Sequence, residues 1–582
     1  MRQTPKFIDL LKDSNKDANN YSLCKISIVG DSSTQHFAAA LKGQAYREKI
    51  NLDVFDAPYN QLEAQLTNKE SETFKHNPDF IIINMSSTKL IDEFYSMQNK
   101  ESFADYVLNK ITRYWESIKD FSNIKIIQNN FAYINDYLFG NYSLKEKSAF
   151  AFQLQKINYL LSEKASEYKN VFLLDLISIQ SEIGTSKFYD PKMYYSSKIS
   201  IALDALPLVA KSIIDIIKAS MGRIKKCIIL DLDNTLWGGV IGDDGIEHIE
   251  LGDLGTGQAY IMFQKWLKAL KNRGIILCVC SKNNLETAQK PFIEHPDMIL
   301  KLEDISLFVA NWEDKASNIK YIQQTLNIGM DSIVFIDDNP FERNLVKQTF
   351  PDIEVPDLPQ DPALYLKTIQ EYNYFETVSF SNEDSSRAKM YLDEDTRNKL
   401  KGSFLEYTDY LKSLDMHCKA SSFDKFHAPR IAQLTQRSNQ FNVRTVRYLE
   451  EEILHFIDND RYITRQYILS DQIGDYGLIG VVILEKQENK LFVNELLMSC
   501  RVLKRGMEEF IFNDIVNIAK NNGFSYVVGE YLPTEKNSMV KDLYLKMGFK
   551  KESESRFVLD VKDYIDKETF IKEIWLWQEK RY

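Results

Sequence analysis

Several features that mark whole classes of protein are missing from this sequence of 582 residues. It has only six cysteines, scattered without the paired spacing of a disulfide framework or a zinc site, so we expect reduced thiols. The 72 lysines and arginines are outnumbered by 83 aspartates and glutamates, which argues against the basic face that nucleic-acid phosphates need. No apolar run is long enough to span a bilayer, and the polar N-terminus is unlike a signal peptide. We therefore expect a cytoplasmic protein that neither binds nucleic acid nor inserts into a membrane.

A chain of this length is too long for one hydrophobic core, and its sequence divides into three α/β regions. Short Val/Ile/Leu runs alternate with longer amphipathic stretches, a pattern typical of strands covered by helices. We expect parallel sheets in the first two regions and an α+β domain in the third. The predicted domains are residues 1–220, residues 221–375, and residues 376–582, which begin with linker helices. In the second region the predicted strands are 227–233, 275–280, 298–300 and 332–337.

The first region has a candidate nucleophile but no base to activate it. Ser32 follows the first predicted strand in VGDSSTQH, and Asn84 and Asn129 lie at the ends of later strands. This arrangement resembles the SGNH hydrolases, in which such a serine is the nucleophile and an asparagine is an oxyanion donor. The base in that family is a late Asp-x-x-His, and this sequence has no histidine between His76 and His248. A serine without a base is a poor nucleophile, so we predict a domain for binding or docking that is not catalytic.

The second region carries the strongest chemical signal, beginning with DLDNTLWGG after its first apolar strand. Asp231 and Asp233 are spaced so that one carboxylate can attack a phosphoryl group while the other manages the leaving group's proton. Ser281 ends the next strand, and Lys315 opens a helix in NWEDKASN. An isolated Asp pair is more often a turn or a cap, but a series of polar groups in this order favours a site.

The last element of that series is FIDDNPFER, in which Asp337 and Asp338 supply the oxygen ligands that Mg²⁺ prefers. Together the four segments resemble the motifs of the haloacid dehalogenase superfamily. The resemblance implies that Asp231 is the nucleophile, that Asp233 is the general acid/base, and that Ser281 and Lys315 hold the phosphate. Too few residues separate the first two motifs for a large cap domain. The metal ligands that it implies are Asp231, Asp233, Asp337 and Asp338.

The third region resembles acetyl-CoA-dependent N-acetyltransferases. LLMSCRVLKRGMEEFIF reads as a strand, a turn and a helix start, where backbone N–H groups attract phosphate. Lys504 stands at the first glycine position of that family's pyrophosphate loop, so the single phosphate of a pantetheine arm fits better than the diphosphate of CoA. The residues predicted to bind pantetheine or substrate are Asn439, Gln440, Asn442, Arg501, Lys504, Arg505 and Gly506.

Three more side chains are candidates for proton or acyl transfer. Tyr544, near the end of a helix in NSMVKDLYLKMGF, is either a partner for a pantetheine thiol or a core aromatic. Cys280, next to Ser281, and Cys500, beside the pantetheine loop, are candidates for a covalent acyl intermediate. For both cysteines the alternative is a small buried hydrophobic residue.

The three regions in this order resemble the FkbH-like family of phosphatase/glyceryl transferases over nearly the whole chain. DLDNTLWGGVIGDDG, CSKNN, DDNPFER and SCRVLKRG are family-like strings. The resemblance implies a Mg²⁺-dependent enzyme that releases phosphate from an acyl phosphate such as 1,3-bisphosphoglycerate. It would pass the glyceryl group to an acyl carrier protein or another biosynthetic acceptor, in polyketide-type or surface-polysaccharide biosynthesis. Two alternatives stay open: a phosphatase of a small or carrier-bound phosphate ester, and a CoA-dependent N-acyltransferase whose central domain only binds.

Overall fold

A computed structural model describes residues 5–121, 123–379 and 406–574, together with residues 397, 400, 401 and 404. The chain divides into two compact units, Arg2–Lys218 and Ala219–Tyr582, and the second unit contains both the second and the third region of the sequence. Most of the predicted linker helices lie outside the described residues. Among the helices that are described, none is both long and apolar enough to cross a membrane.

The first unit is built on five parallel strands with helices between them. The strands are β1 (Ser22–Gly30), β2 (Ile50–Asp56), β3 (Phe80–Asn84), β4 (Lys125–Asn129) and β5 (Val171–Leu174). Their order in the sheet is β2-β1-β3-β4-β5, and the central strand β3 is buried along its whole length, as expected for a sheet covered on both faces. The α-helices are α1 (Phe7–Asp13), α2 (Gln35–Arg47), α3 (Leu62–Thr67), α4 (Glu72–Lys75), α5 (Ser87–Ser96), α6 (Phe103–Ile118), α7 (Phe150–Ala165), α8 (Leu176–Ile183), α9 (Thr185–Phe188), α10 (Pro191–Ser197) and α11 (Leu206–Ser220), the last of which runs into the second unit.

The second unit begins with a smaller parallel sheet. Its strands are β6 (Cys227–Leu230), β7 (Ile276–Ser281), β8 (Leu307–Ala310) and β9 (Ile333–Ile336), in the order β8-β7-β6-β9. Apolar side chains on both faces of this sheet form two separate clusters of buried residues. The helices between and after these strands are α12 (Ile241–Asp244), α13 (Gly255–Asn272), α14 (Leu285–Glu294), α15 (Lys315–Leu326), α16 (Pro340–Thr349) and α17 (Tyr365–Tyr372).

One strand predicted for this sheet is wrong. Residues 298–300 form no strand, and the edge strand of the sheet is β8, a few residues further along the chain. The backbone N–H groups of Ile299 and Leu300 donate to Oε1 of Gln264 at 3.0 and 3.2 Å. A buried side chain therefore satisfies the backbone that a neighbouring strand would otherwise have to pair.

The rest of the second unit is a mixed sheet of eight strands. Its order is β15-β16-β14-β13-β12-β11-β10-β17. The strands are β10 (His417–Ser421), β11 (Tyr462–Ser470), β12 (Asp475–Gln487), β13 (Lys490–Met498), β14 (Tyr526–Glu530), β15 (Lys550–Lys551), β16 (Arg556–Asp560) and β17 (Lys572–Glu573). The helices are α18 (Tyr407–Ser413), α19 (Ala428–Arg437), α20 (Glu450–Ile457), α21 (Met507–Asn521) and α22 (Leu543–Lys546).

Candidate functional site

The carboxyl ends of the parallel strands in the second unit bring the predicted acidic residues to one edge. β6 is buried along its length and pairs in parallel with β7 on one side and β9 on the other. Asp231 directly follows β6, Ser281 is the last residue of β7, and Asp337 directly follows β9. The carboxyl edge of a parallel sheet is where α/β proteins usually bind ligands. The topology therefore assembles a candidate active site from three separate segments.

Lys315 joins two of these carboxylates. It is the first residue of α15, and its ammonium lies 2.7 Å from Oδ2 of Asp231 and 2.5 Å from Oδ2 of Asp337. All three side chains are almost completely buried. Burial alone would lower the pKa of Lys315, but the two carboxylates outweigh it and its pKa is raised. The lysine is therefore held in its charged form between two acidic groups.

A third carboxylate completes the cluster. Oxygens of Asp231, Asp337 and Asp338 all lie within 4.8 Å of one another. The Thr235 hydroxyl accepts a hydrogen bond from the backbone N–H of Asp338 at 3.2 Å and donates to its carboxylate at 3.4 Å. Burial and the charge of Asp231 raise the pKa of both Asp337 and Asp338. The negative charge of three clustered carboxylates is greater than the positive charge of one lysine can balance.

One oxygen of the cluster has no partner. Oδ1 of Asp231 is buried and accepts no hydrogen bond from any described residue. A buried carboxylate oxygen without a donor is costly unless a cation or a ligand contacts it. Three clustered carboxylates of this kind also offer the hard oxygen donors that Mg²⁺ takes. The residues present therefore fit a divalent cation.

Asp233 is not one of these three clustered carboxylates, and its predicted role as a metal ligand stays a prediction. Its Oδ1 accepts hydrogen bonds from the Trp237 indole and from the Ile241 backbone, both at 3.0 Å. Its Oδ2 accepts from the Asn283 amide at 2.8 Å. Three donors thus fix the position of the carboxylate. Burial, with the nearby charge of Asp231, raises the pKa of Asp233, which suits the predicted role of general acid.

Four supporting residues were missed by the sequence analysis. They are Thr235, Trp237, Asn283 and Arg343. The Arg343 guanidinium donates to the backbone carbonyls of Asp337 and Asp338 at 2.8 and 2.5 Å and so fixes the turn that presents both carboxylates. All four residues lie within the motif segments, so their position in the sequence could have identified them as candidates. Ser281 is buried at the end of β7, and its predicted contact with phosphate stays a prediction.

The structure corrects the role predicted for Cys280. Its side chain is completely buried in the apolar layer beneath the sheet, with its sulfur 3.8 Å from the carbonyl oxygen of Lys315. Burial raises the pKa of this thiol well above its usual range, so the thiolate that an acyl transfer needs is disfavoured. The side chain of Cys500 lies outside the described residues, and its role stays a prediction.

We expect Cys280→Ala to leave phosphate release within about twofold of the wild-type rate, because a buried thiol acts as a small hydrophobic group. Phosphate release and the mass of any acylated species would be measured with an acyl phosphate donor. Cys418→Ala, at another buried cysteine, is the matched control for the loss of core volume. Loss of acyl transfer in the Cys280 variant alone would show that this thiol takes part in the reaction.

Three of the residues predicted to bind pantetheine line one pocket. Asn439, Gln440 and Arg501 surround a pocket of ≈ 100 Å³ that also contacts Ser332. Ser332 directly precedes β9, whereas Asp337 follows it, so the pocket and the carboxylates lie at opposite edges of the parallel sheet. Five residues of strand correspond to about 16 Å. Four more basic residues line the pocket, Lys226, Arg430, Arg437 and Lys536, together with Asp331, which pairs with Lys536.

Asn442 does not face that pocket. β13 and β14 pair only over residues 490–493, and the chain around Asn442 fills the opening beyond them. The Val443 N–H donates to the Leu496 carbonyl at 3.1 Å, and the Val443 carbonyl accepts from Leu532 N–H at 2.9 Å. Asn442 itself is completely buried and accepts from the following turn. Its predicted contact with substrate is corrected to a structural role.

The loop before α21 also differs from the predicted phosphate site. Arg505 is buried, and its guanidinium donates to the Tyr476 hydroxyl, so its predicted contact with pantetheine is corrected. The Lys504 N–H donates to the carboxylate of Glu508 at 3.4 Å, and the Gly506 carbonyl accepts from the Thr569 hydroxyl. The helix start therefore already contacts an acidic side chain, which opposes the binding of a second anion.

Tyr544 is a core residue. Its ring is completely buried and stacks on Phe557 with centroids 5.4 Å apart. A Cβ atom at Gly529 would lie only 2.2 Å from this ring, so the glycine makes room for it. Burial raises the pKa of the Tyr544 hydroxyl far above its usual range. The ring is thus a packed core aromatic, but its buried hydroxyl has no hydrogen-bond partner among the described residues, and its predicted role toward a thiol stays a prediction.

Comparisons with known proteins identify a family and a solved structure that are similar to this chain. Residues 25–218 match the family described as FkbH, N-terminal domain. A crystal structure of the N-terminal part of the protein BF1531 from Bacteroides fragilis, containing a phosphatase domain complexed with Mg, is 43% identical. That match covers 65% of this chain and 100% of that one, with a TM-score of 0.62. No curated protein matches the sequence.

Two acetyltransferases are similar at a much lower level. The ribosomal-protein-S18-alanine N-acetyltransferase of Escherichia coli is 13% identical over 25% of this chain and 94% of that one, with a TM-score of 0.20. The IAA acetyltransferase of Bacillus cereus is 16% identical over 25% and 99%, with a TM-score of 0.19. Similarities of this size carry no argument about the third region.

Fold and site together define an α/β protein with a phosphatase-like domain. The Bacteroides match is covered over its full length at 43% identity, and the first unit matches the FkbH family directly. The chain belongs to the FkbH-like family.

Proposed function

We propose that this chain is a Mg²⁺-dependent enzyme of the haloacid dehalogenase type that releases phosphate from an acyl phosphate such as 1,3-bisphosphoglycerate. The acyl group passes to an acyl carrier protein or another biosynthetic acceptor. The observation that carries the proposal is the buried cluster in which Lys315 bridges Asp231 and Asp337, with Oδ1 of Asp231 left without a partner. An unpaired carboxylate oxygen beside a fixed ammonium is placed to meet a phosphoryl group.

Mg²⁺ would be held by Asp231, Asp337 and Asp338. Its chemistry there is to neutralise the charge of phosphate oxygens, which would otherwise repel three carboxylates. The Bacteroides relative, which was crystallised with Mg, supports this assignment. The protein's own contribution is to fix the geometry, because Thr235 and Arg343 hold the turn that carries two of the ligands. Lys315 adds a permanent positive charge at the site.

Two different bonds in an acyl phosphate can break, and they lead to different products. If Asp231 attacks phosphorus, the P–O bond breaks, the acyl group leaves as a free carboxylate, and a phospho-aspartate remains for water to hydrolyse. If a thiolate attacks the carbonyl carbon, the C–O bond breaks, inorganic phosphate leaves, and a thioester forms. Only the second route transfers the acyl group. In that route Lys315 would contact the departing phosphate, and Asp231 would help to hold the Mg²⁺ that neutralises its charge.

Two thiols are left for the transfer route, the pantetheine thiol of the carrier and the thiol of Cys500. Cys280 is buried, as described above, and a pantetheine thiol would need no intermediate on the enzyme. The pocket lined by Asn439, Gln440 and Arg501 has a basic lining that suits the single phosphate of such an arm. The strand between the two edges is about 16 Å long, so an arm would have to be extended to reach from one edge to the other.

The test is to mix the full chain with 1,3-bisphosphoglycerate, Mg²⁺ and a pantetheine-loaded carrier protein. Phosphate release is followed while the intact masses of enzyme and carrier are measured. We expect release of phosphate together with a glyceryl mass gain on the carrier that hydroxylamine removes. Chelation of Mg²⁺ with EDTA should stop both signals. Failure to release phosphate from any acyl phosphate in the presence of Mg²⁺ would contradict the proposal.

A phosphatase of a small or carrier-bound phosphate ester is the second candidate. The unpartnered oxygen of Asp231 favours it, since that is where an attacking nucleophile must be free. In this case phosphate is released without any mass gain on the carrier. Trapping a phosphorylated Asp231 by acid quench and locating it by peptide mass spectrometry would favour this candidate over acyl transfer.

A further inference from the structure

The first unit has a partly open cavity that the phosphoryl chemistry does not use. Its volume is ≈ 330 Å³, at the lower end of the range for sites that bind small molecules. Ile91, Ala132 and Phe188 belong to its mostly apolar wall. None of the described residues that line it carries a formal charge. An ionised ligand would lose its hydration there without compensation, so the cavity suits a neutral molecule.

Two polar residues of the cavity wall contact Ser32. The Ser32 hydroxyl lies 2.8 Å from the Ser200 hydroxyl, and the Asn84 amide donates to it at 3.3 Å. Ser200 and Asn84 line the cavity, with Ser32 buried behind them. The hydrogen bond between the two hydroxyls uses only one of their two O–H hydrogens, so one O–H can still donate to a ligand. The Asn84 amide has two N–H hydrogens and uses one on Ser32, so the other can also donate. These donors match a carbonyl oxygen.

The site cannot activate Ser32 as a nucleophile. Among the described residues, the hydrogen-bond partners of its hydroxyl are one hydroxyl and one amide, and neither is a base. Ser200 stands where a base would have to accept the proton of Ser32. The nearest histidines in the sequence face elsewhere: His36 packs on the ring of Phe7, and His76 contacts the carbonyl of Asp53. A carbonyl compound placed here is bound without being cleaved.

We propose that the first unit binds a small neutral acyl compound in this cavity, for which a thioester serves as the probe. The carbonyl oxygen lies on Ser200 and Asn84, and the acyl chain lies among the apolar side chains. This assignment does not depend on the phosphoryl chemistry of the second unit, because it involves neither Mg²⁺ nor an acyl phosphate.

The experiment is saturation-transfer NMR of the full-length chain with S-butyryl-N-acetylcysteamine as the probe. We expect a saturable signal from the butyryl protons and a much weaker one from butyrate, which is charged. Ile91→Trp fills the cavity and should abolish the signal. Leu23→Trp, at an exposed position of β1, is the matched control and should retain it.

Ser200→Ala provides a second variant that removes a donor without changing the volume. It should weaken probe binding several-fold, and thermal unfolding shows whether the chain stays folded, since the buried Ser32 hydroxyl loses one of its two hydrogen-bond partners. An absent signal in the wild-type chain would overturn the proposal. A signal that persists in a folded Ile91→Trp chain, or that butyrate gives equally well, would also overturn it.

Discussion

Replacing Asp231 by Asn is expected to reduce phosphate release by at least about a thousandfold, the size of effect seen when a group central to the reaction is removed. The amide keeps the shape of the side chain but loses the negative charge that faces Lys315 and the metal-fitting oxygens. The substitution also replaces one of the two carboxylate oxygens with an NH₂ group. That group donates hydrogen bonds and can neither attack phosphorus nor bind a cation. Phosphate release would be measured at saturating Mg²⁺ with an acyl phosphate and with a simple phosphate ester.

Asp352→Asn is the matched control for that variant. Asp352 is an exposed residue in the loop after α16, and its loss should leave the rate unchanged. Thermal unfolding of both variants shows whether each is folded, and Asp231→Asn should be no less stable than the wild type because it relieves repulsion among three clustered carboxylates. If the Asp231 variant released phosphate at a rate within about tenfold of the wild type, the reaction would have to occur at another site.

The sequence was sufficient to locate the candidate site at the carboxyl edge of the parallel sheet in the second unit. Each motif follows an apolar strand, and parallel strands place their carboxyl ends together, so Asp231, Lys315 and Asp337 were expected to meet. It was not sufficient to decide which oxygens face one another. Asp233 differs from Asp231 in having Trp237 and Asn283 as donors, and the second of these lies on another loop. Such pairings depend on tertiary packing and leave no periodic pattern in the sequence.

In the third region, polar residues that looked available for a ligand proved to be used by the fold. Arg505 and Tyr476 are far apart in the sequence, yet they meet inside the mixed sheet. The chain around Asn442 fills an opening between two strands, and no local sequence pattern predicts that opening. Hydrophobic periodicity predicts strands and helices because burial dominates them. It does not predict the partners of buried polar groups, whose satisfaction depends on residues brought together only by folding.

The largest expected effect on stability comes from a buried ion pair in the mixed sheet. Arg397 and Asp471 form two hydrogen bonds of 2.8 and 2.9 Å, and both side chains are almost fully buried. The Arg397 guanidinium also lies over the ring of Tyr476, 4.0 Å from its centroid. Removal of one partner leaves the other charge buried. We therefore expect Arg397→Met to destabilise the second unit by about 3–5 kcal/mol.

The measurement is urea unfolding of the full-length chain, with hydrogen–deuterium exchange of peptides from β11 and β12 to locate the loss. Arg397→Met combined with Asp471→Leu should recover part of the stability, because no unpaired charge is left in the core. Arg461→Met is the control: that arginine pairs with Glu485 at the surface, and its loss should cost less than about 1 kcal/mol. Equal losses in the two arginine variants would mean that the buried pair is no more important than an exposed one. In that case the carboxylate of Asp471 would be held mainly by its other donors, the Tyr476 hydroxyl and the backbone N–H groups of the turn.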